Sequence, residues 1–370
     1  MKKKRKIKVG DVIAEIVVEL ILTVIFFAVG FFILNLFGDV NFDEVDLDLA
    51  ILVGVIVFFV IFAIVIIIID KIIKTNKKKT RKSEINKEKL MDFNKSIFEN
   101  RKAKGTPLLA AHRGVCGANI PCNTLAAYKI AVDQGADVVE IDVAISKDGK
   151  YFAFHPWTEP IFLKCGRFLH EMTADEIENL YILNQDEAPT SYKIPTLAEV
   201  LALLKGKAYI NVDKFWTDVE GISAEIRKAG VEKQVIVKTS TDEKALADVK
   251  KYASDFMFIP IVRKKDEVTD RLLADGVNII GTEIIFETEQ DEVISDEYIA
   301  KMHEKGLLVW ANAIIYDEKA VISAHHTDDI SLTDSPEKGW GWLIDKNVDF
   351  IQTDWLLALR LYIESRKTEN

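Results

Sequence analysis

Cysteine is scarce in this chain, and its three copies form no familiar pattern. Cys116, Cys122 and Cys165 are the only cysteines in 370 residues. An odd, sparse set argues against a disulfide framework and fits a reducing compartment. The chain has no CxxC pair, and the spacing of Cys116 and Cys122 matches no zinc pattern. We therefore expect neither a disulfide-stapled domain nor a structural zinc site.

Excess positive charge is confined to the start of the chain. Residues 1–104 carry 19 Lys and Arg against 13 Asp and Glu, whereas the remainder carries 29 against 45. The first part is thus basic and apolar, and the second part is acidic. An acidic globular part argues against nucleic acid as a partner.

Charged residues are absent from two long apolar runs, 20–37 and 49–69, of 18 and 21 residues. Either run can cross a hydrocarbon core of about 30 Å at about 1.5 Å per residue. A cleaved signal peptide is a poor alternative, because no small-residue cleavage site follows the first run and a second run comes directly after it. We predict a two-helix transmembrane hairpin over residues 1–73.

The charges around these runs predict their orientation. The loop GDVNFDEVDLD between them has five acidic residues and no basic one, whereas Lys and Arg cluster before the first run and after the second. Basic flanks remain in the cytoplasm. We expect both termini and the globular domain on the cytoplasmic face of the plasma membrane. Residues 74–104 then form a basic juxtamembrane linker beside the lipid bilayer, and the globular domain covers 105–370.

Beyond residue 107, short β-rich runs alternate with helical patterns, which predicts a parallel sheet covered by helices. Eight such units would form a TIM (β/α)8 barrel, which is the predicted fold. There is one strand candidate too many, and the link 144–150 is too short for a helical crossover, so we expect one run to be irregular or antiparallel. A doubly wound sheet is the alternative, but no Gly-rich phosphate fingerprint follows any strand. The strand candidates are 108–112, 138–143, 151–155, 208–213, 234–238, 256–262, 278–284, 307–311 and 349–353.

Glu140 and Asp142 lie two apart in the run VVEIDV, so they project from the same face of a strand. The apolar neighbours on both sides indicate a buried strand rather than an exposed one. Two carboxylates held together repel each other unless a cation lies between them. These residues therefore predict a metal or catalytic site.

Other polar residues also fall at strand ends. A barrel would bring them to one mouth, where TIM-barrel active sites lie. They are His112, His155, Asp213, Lys214, Thr353 and Asp354.

In order and spacing, these elements resemble the glycerophosphodiester phosphodiesterase family. The resemblance covers about residues 107–360. It rests on HRG, Pro-x-Asn-Thr, GAD-x-x-E-x-DV, a DG turn with a following His, IPTLAEVL, INVDK and IQTD. It implies a TIM barrel, a divalent metal that is usually Ca²⁺ or Mg²⁺, and hydrolysis of glycerophosphodiesters to glycerol phosphate and an alcohol.

The resemblance and the side-chain chemistry together predict a role for each residue. The metal ligands are hard oxygen donors that suit Mg²⁺ or Ca²⁺, and Arg and Lys can bind phosphate oxygens. Imidazoles titrate near neutral pH and form the acid–base pair, although the sequence does not say which is the acid. The predicted ligands are Glu140, Asp142 and Asp213, the phosphate-binding residues are Arg113 and Lys214, and the acid–base pair is His112 and His155.

The chain departs from the family pattern at three places. Cys122 replaces the glutamate of Pro-Glu-Asn-Thr, and Pro156 replaces the aspartate after the second histidine. The usual Glu-x-Lys reads Asp213-Lys214, and adjacent strand residues face opposite ways unless a bulge intervenes. Asn211 shares the face of Asp213 and is a further candidate.

Five weaker candidates complete the prediction. Glu159 and Glu283 lie in or near the mouth, and Asp354 orients a histidine or arginine. Trp310 either contacts the glycerol or a choline-like head group or packs in the core. The run 325–329 is interpreted as a polar loop rather than a metal site.

Three functions fit these observations. The first is metal-dependent release of glycerol 3-phosphate from glycerophosphodiesters. A second is lysophospholipase D action on membrane lysophospholipids. The third, from a different class, is a catalytically silent membrane-bound binding or scaffold protein.

Overall fold

The computed structural model describes residue 93, residues 95–315 and residues 319–369, which belong to one compact unit, Lys89–Asn370. The strands are β1 (Leu108–Ala111), β2 (Val138–Ile145), β3 (Tyr151–Ala153), β4 (Tyr209–Asp213), β5 (Val235–Ser240), β6 (Met257–Arg263), β7 (Gly281–Ile285), β8 (Leu308–Asn312) and β9 (Phe350–Thr353). The helices are α1 (Ile97–Lys104), α2 (Leu125–Gln134), α3 (Glu159–Phe162), α4 (Ala174–Glu178), α5 (Leu197–Leu204), α6 (Val219–Ala229), α7 (Glu243–Tyr252), α8 (Thr269–Ala274), α9 (Asp296–Glu304), α10 (Asp328–Thr333), α11 (Trp342–Asp345) and α12 (Leu356–Glu369).

The predicted membrane spans 20–37 and 49–69 lie outside the described residues, as does most of the predicted linker. Within the part of the chain that the structure describes, no helix combines the length and the apolar character needed to cross a bilayer.

Eight of the nine strands form a closed parallel barrel. Their order is β1-β9-β8-β7-β6-β5-β4-β2, and a pairing of β1 with β2 closes the ring. An open doubly wound sheet would leave two edges unpaired, so the closure excludes that alternative. The TIM-barrel prediction is confirmed.

The ninth strand, β3, turns back along β2. It pairs antiparallel through Val143 with Ala153 and Ile145 with Tyr151. This confirms that one of the candidate runs is antiparallel. The chain after β3 adds a segment, residues 155–194, that packs with Phe152 and Phe154 in a buried cluster of its own. The hairpin therefore holds this segment beside the carboxyl end of β2.

The barrel strands are buried on both faces, and alternate residues pack into different clusters. One cluster lies between strands and helices and includes Leu109, Val139 and Ile210. The other fills the barrel interior and includes Leu108, Val138, Tyr209 and Phe350. Side chains alternate along a strand, so the residues that follow the interior positions in steps of two also face inward. By this alternation the interior face carries His112, Glu140, Asp142, Asn211 and Asp213.

Helix α1 closes the amino end of the barrel, away from these polar residues. Ile97 is 2% exposed and belongs to the interior cluster, with Phe93 and Phe98 packed against it. Ser96 and Glu99 form a capping box at its start. Arg101 lies 3.0 Å from Asp349, and Lys104 forms an ion pair with Asp137. Part of the chain before residue 105 is therefore packed against the barrel.

Candidate active site

Three carboxylates meet at the carboxyl ends of β2 and β4. The parallel register places Glu140 opposite Asn211 and Asp142 opposite Asp213. Oxygens of Glu140, Asp142 and Asp213 lie within 4.8 Å of one another, and the first two residues are almost fully buried. Among the described residues this is the one acidic group close enough to share a cation. The structure thus brings together the three ligands predicted from the sequence.

The turn after β1 delivers Arg113 to these carboxylates. Arg113 adopts a left-handed backbone with φ 55°, and its N–H donates to Oε2 of Glu140 at 2.7 Å. Its Nε lies 2.9 Å from Oδ2 of Asp142. Gly114 follows with φ 83°, and a Cβ there would approach the backbone of Ala127 to 2.7 Å. Gly114 of the HRG motif is therefore required by the tight turn against α2.

Lys214 reaches the same carboxylates without a β-bulge. Strand β4 ends at Asp213, and Lys214 has a left-handed backbone with φ 58°. This turn brings its Nζ to 2.7 Å from Asp213 and 3.6 Å from Oδ1 of Asp142. The two adjacent residues both face the site because the strand alternation stops between them.

Asn123 holds Asp142 in place, a role that the sequence reading did not assign. Its Nδ2 donates to Oδ2 of Asp142 at 2.8 Å, and its Oδ1 accepts from the Asp142 N–H. Tyr128 donates its hydroxyl to the same Oδ1 at 2.7 Å. The Asn-Thr pair at the start of α2 was the available signal, since Thr124 caps that helix and Asn123 precedes it with φ 57°.

The two histidines lie in different electrostatic surroundings. The imidazole Nδ1 of His112 donates to Oδ1 of Asp354 at 2.9 Å. Burial alone would lower the pKa of His112, but this hydrogen bond and the charge of Asp354 outweigh it, and the pKa is raised. His155 donates Nδ1 to the carbonyl of Pro156 at 2.9 Å, and burial is the main reason that its pKa is lowered.

The carboxylate group fits a divalent cation. Burial and the charge of Asp142 raise the pKa of Glu140 to about 7. Burial would also raise the pKa of Asp142, but the charges of Arg113 and Lys214 hold it well below its usual range. Oδ1 of Asp142 is buried and has no hydrogen-bond partner among the described residues. A hard cation would occupy that lone pair and relieve the repulsion between the carboxylates.

Comparison with known proteins gives a consistent family. A glycerophosphodiester phosphodiesterase of Caldanaerobacter subterraneus is 34% identical over 154 residues, which are 40% of this chain and 63% of that protein. A probable glycerophosphodiester phosphodiesterase 1 of Mycobacterium tuberculosis is 47% identical over 51 residues, 14% of this chain and 18% of that protein. The matches thus span less than two thirds of these relatives' own lengths.

The barrel also resembles solved structures. A glycerophosphoryl diester phosphodiesterase of Parabacteroides distasonis superposes with a TM-score of 0.59 at 22% identity, covering 70% of this chain and 87% of that one. An Oleispira antarctica phosphodiesterase, solved with the product sn-glycerol-3-phosphate, gives 0.50 at 20% identity, covering 71% and 98%. Residues 258–363 also match a family described as a domain of unknown function, DUF4996.

The chain is thus similar to glycerophosphodiester phosphodiesterases in sequence and in fold.

Relative to that family, the position of the missing glutamate is occupied by a cysteine bridge. Cys116 and Cys122 are disulfide-bonded, and Cys165 is free. The sequence predicts no disulfide framework, and this single local bridge is a pairing that the prediction did not include. The reason is local, because Gly117 and Ile120 pair as a small hairpin and bring the flanking cysteines to a Cα separation of 5.0 Å.

Trp310 packs in the core of the barrel and does not face the place of a substrate head group. It is fully buried, stacks on Phe350 at 4.7 Å and has the Nζ of Lys238 4.2 Å above its ring. Its Nε1 donates to Asn312. A substrate at the mouth of the barrel cannot contact a side chain with no exposed surface, so of the two predicted places for Trp310 the structure supports core packing.

Glu283 and Asn211 are both buried inside the barrel. Glu283 forms an ion pair with the buried Lys238 at 2.7 Å and accepts from Asn312 at 2.7 Å. Asn211 donates to the carbonyl of Ile236 at 3.2 Å. These groups are buried polar residues inside the barrel, and Lys238 is a member that the sequence did not reveal. It lies inside β5, where a lone lysine in an apolar run gives no motif.

Glu159 is directed into the segment 155–194. Its Oε1 accepts from the N–H of Leu169 at 3.0 Å, and the residue is 1% exposed. Glu159 is therefore buried within this segment, and the structure supports neither the predicted place in the mouth nor the one at its rim.

The predicted polar loop 325–329 contains a residue that positions the site. Asp328 accepts from the Thr353 hydroxyl at 2.7 Å, the Trp340 indole at 2.6 Å and the N–H of Asp354 at 2.8 Å. Burial raises the pKa of Asp328 to about 7. Asp354 is thus held by Asp328 while its own carboxylate accepts a hydrogen bond from His112. The sequence reading missed Asp328 because its partners lie 12 to 26 residues further along the chain.

Proposed function

We propose that this chain hydrolyses glycerophosphodiesters to glycerol 3-phosphate and an alcohol. The observation that carries the proposal is the arrangement at one barrel mouth of an acidic triad, two cations and two histidines. Glu140, Asp142 and Asp213 would hold Mg²⁺ or Ca²⁺. When bound, the cation polarises the phosphoryl group and neutralises its charge.

The remaining residues divide the work on the phosphodiester. Arg113 and Lys214 place positive charge beside the carboxylates and would bind the phosphate oxygens. His155, with a lowered pKa, is neutral at pH 7 and would accept the proton of the attacking hydroxyl through Nε2. His112, with a raised pKa, would donate its proton to the leaving oxygen. The attacking hydroxyl belongs either to water or to the glycerol itself.

Turnover of glycerophosphocholine by the purified full chain tests this proposal. We expect release of glycerol 3-phosphate with added Mg²⁺ or Ca²⁺ and its loss with EDTA. His112→Ala should abolish turnover, and His325→Ala, at an exposed position on the loop before α10, should not. A folded, metal-loaded chain that hydrolyses none of a broad diester panel would favour the binding or scaffold alternative. That alternative is supported by the acids missing at Cys122 and Pro156.

We also propose that residues 1–73 anchor the enzyme as a two-span hairpin, with both termini and the barrel in the cytoplasm. The support is the two uncharged runs, the acidic loop between them and the basic residues on either side. A membrane anchor would place the site near lipid-derived substrates. Protease added to intact cells should leave the barrel uncut, whereas cleavage from outside would overturn this orientation.

A further inference from the structure

A mostly apolar cleft opens beside the proposed catalytic residues. It lies between the loop after β1 and the segment 155–194. Its apolar walls are Pro121, Phe154, Phe162, Ile182 and Leu183.

The cleft is continuous with the phosphodiester site. Arg113 and His155 line it together with the apolar residues. The same Arg113 contacts Asp142 at 2.9 Å, and Asp142 belongs to the acidic triad. A group attached to a phosphate at Arg113 therefore has the cleft as its immediate neighbour.

Apart from Arg113 and His155, which face the phosphodiester site, and Gln185 at the rim, the polar side chains in the walls are already hydrogen-bonded within the protein. The amide of Asn123 is used by Asp142 and Tyr128, and the Thr158 hydroxyl donates to the carbonyl of His155 at 2.7 Å. Gln185 is exposed at the rim. A polyol or a charged head group would lose water here without gaining partners, whereas a hydrocarbon loses nothing by leaving water.

On the same segment, Trp157 and Ile161 extend the apolar surface. They are 66% and 55% exposed, and the ring of Trp157 packs against Phe168 at 4.9 Å. Large exposed apolar side chains beside an apolar cleft are typical of sites that take an amphiphile.

We propose that this cleft binds a hydrocarbon chain of the substrate, so that the preferred substrate is an amphiphilic phosphodiester rather than a fully polar one. The inference rests on the proposed function. The hydrocarbon chain could come from either of two parts of the substrate. It is an acyl group on the glycerol, as in a lysophospholipid, or an alkyl group on the leaving alcohol.

Two substrate series distinguish these sources. One is 1-acyl-glycerophosphocholine and the other is glycerophosphoalkanol, each with chains of two to ten carbons below their micelle-forming concentrations. For the full chain with Mg²⁺ or Ca²⁺, we expect kcat/KM to rise roughly two- to fourfold per buried methylene in one series. A rise in the acyl series identifies a lysophospholipase D, and a rise in the alkyl series identifies the leaving-group arm.

A variant tests whether the cleft causes the dependence. Leu183→Asp places a charge in the half-buried wall and should lower the long-chain to short-chain ratio of kcat/KM at least tenfold. Leu361→Asp makes the same change at an exposed position of α12 and should leave the ratio as it is. Should Leu183→Asp not fold, competition on the native chain gives the answer: decyl phosphate should inhibit at least tenfold more strongly than inorganic phosphate.

The possible failures are distinguishable. Hydrolysis of glycerophosphocholine without chain-length dependence in either series would overturn the cleft assignment and leave the proposed function intact. Absence of all diester hydrolysis would overturn the proposed function. In that case, calorimetric titration of the metal-loaded chain with decyl phosphate and inorganic phosphate still decides whether the cleft binds hydrocarbon, and equal affinities would refute it.

Discussion

At the scale of residues, two acids at the mouth of the barrel differ in how well their negative charges are balanced by neighbouring groups. Glu140 and Asp142 are almost fully buried acids two positions apart on one strand, and they are compensated unequally. Asp142 has Asn123, Arg113 and Lys214, whereas Glu140 accepts one backbone N–H from Arg113. This imbalance makes Glu140 the residue whose charge most depends on a bound cation.

The first prediction concerns that dependence. Glu140→Gln removes one anionic oxygen donor and should weaken Mg²⁺ or Ca²⁺ binding by more than the roughly 10–100-fold typical of outer-shell changes. Calorimetric titration of the purified chain with each metal measures this directly. Glu297→Gln, an exposed acid on α9, is the matched control and should bind metal as the native chain does. Equal affinity in Glu140→Gln and the native chain would remove Glu140 from the ligand set.

The second prediction concerns the effect of the Asp354 carboxylate on the pKa of His112. Activity should require protonated His112 and neutral His155, so kcat/KM should rise as His155 deprotonates and fall as His112 deprotonates. Asp354 raises the pKa of His112, and Asp354→Asn removes that charge. The alkaline limb of the pH–rate profile should therefore move to lower pH, while the acid limb, set by His155, stays in place.

Asp329→Asn, at an exposed position of α10, serves as the control and should leave both limbs in place. If Asp354→Asn instead moves the acid limb, the roles of the two histidines are reversed.

Residue patterns predicted the candidate ligands but not how deep in the barrel each side chain lies. Alternation along β2 and β4 predicts that Glu140, Asp142 and Asp213 share one face, and the structure agrees. The same alternation does not say in which layer of the barrel a side chain lies. Trp310 was for that reason indistinguishable from a mouth residue, although it lies in the fully buried layer below.

At the scale of elements, the features that the sequence did not predict arise from the conformations of loops. Lys214 faces the site because the chain turns left-handed at the end of β4. Cys116 and Cys122 meet because two residues between them pair as a hairpin. Neither conformation leaves a strand or helix period in the sequence, whereas the strands themselves do.

The third prediction follows from that cysteine pair. The purified, unreduced chain should titrate one thiol, Cys165, and the reduced chain three. Reduction should lower the free energy of unfolding by about 2 kcal/mol, the chain-entropy value for so short a loop. It should also raise KM, because Asn123, which holds Asp142, follows the bridge directly.

Cys165→Ser is the control variant: it should give no thiol before reduction and lose the same stability on reduction. Three thiols in native chain prepared without reductant would contradict the pairing. That result would instead agree with the reducing compartment expected from the scarcity of cysteine.

At the scale of the whole molecule, the two ends of the barrel differ. The candidate active site lies at one end, and helix α1 packs against the other. Acidic, basic and imidazole groups lie at the carboxyl ends of the strands, and α1 packs against the apolar layer at their amino ends. This division is the one expected of TIM-barrel enzymes. It means that residues before the predicted domain start at 105 contribute to the fold without touching the site.

The fourth prediction tests this contribution by truncation. A chain of residues 93–370 retains α1, and a chain of residues 105–370 loses the buried Ile97 and the contacts of Arg101 and Lys104 with Asp349 and Asp137. Ile97→Ala alone should cost about 2–5 kcal/mol, as other buried large-to-small changes do. The shorter chain should therefore unfold at a lower denaturant concentration than the longer one.

Phe98→Ala, on the partly buried side of the same helix, is the control and should lower the free energy of unfolding less than Ile97→Ala does. If both chains unfold at the same denaturant concentration, α1 does not stabilise the barrel. If the longer chain is more stable and both keep the same kcat/KM, α1 contributes to the stability of the fold and not to activity.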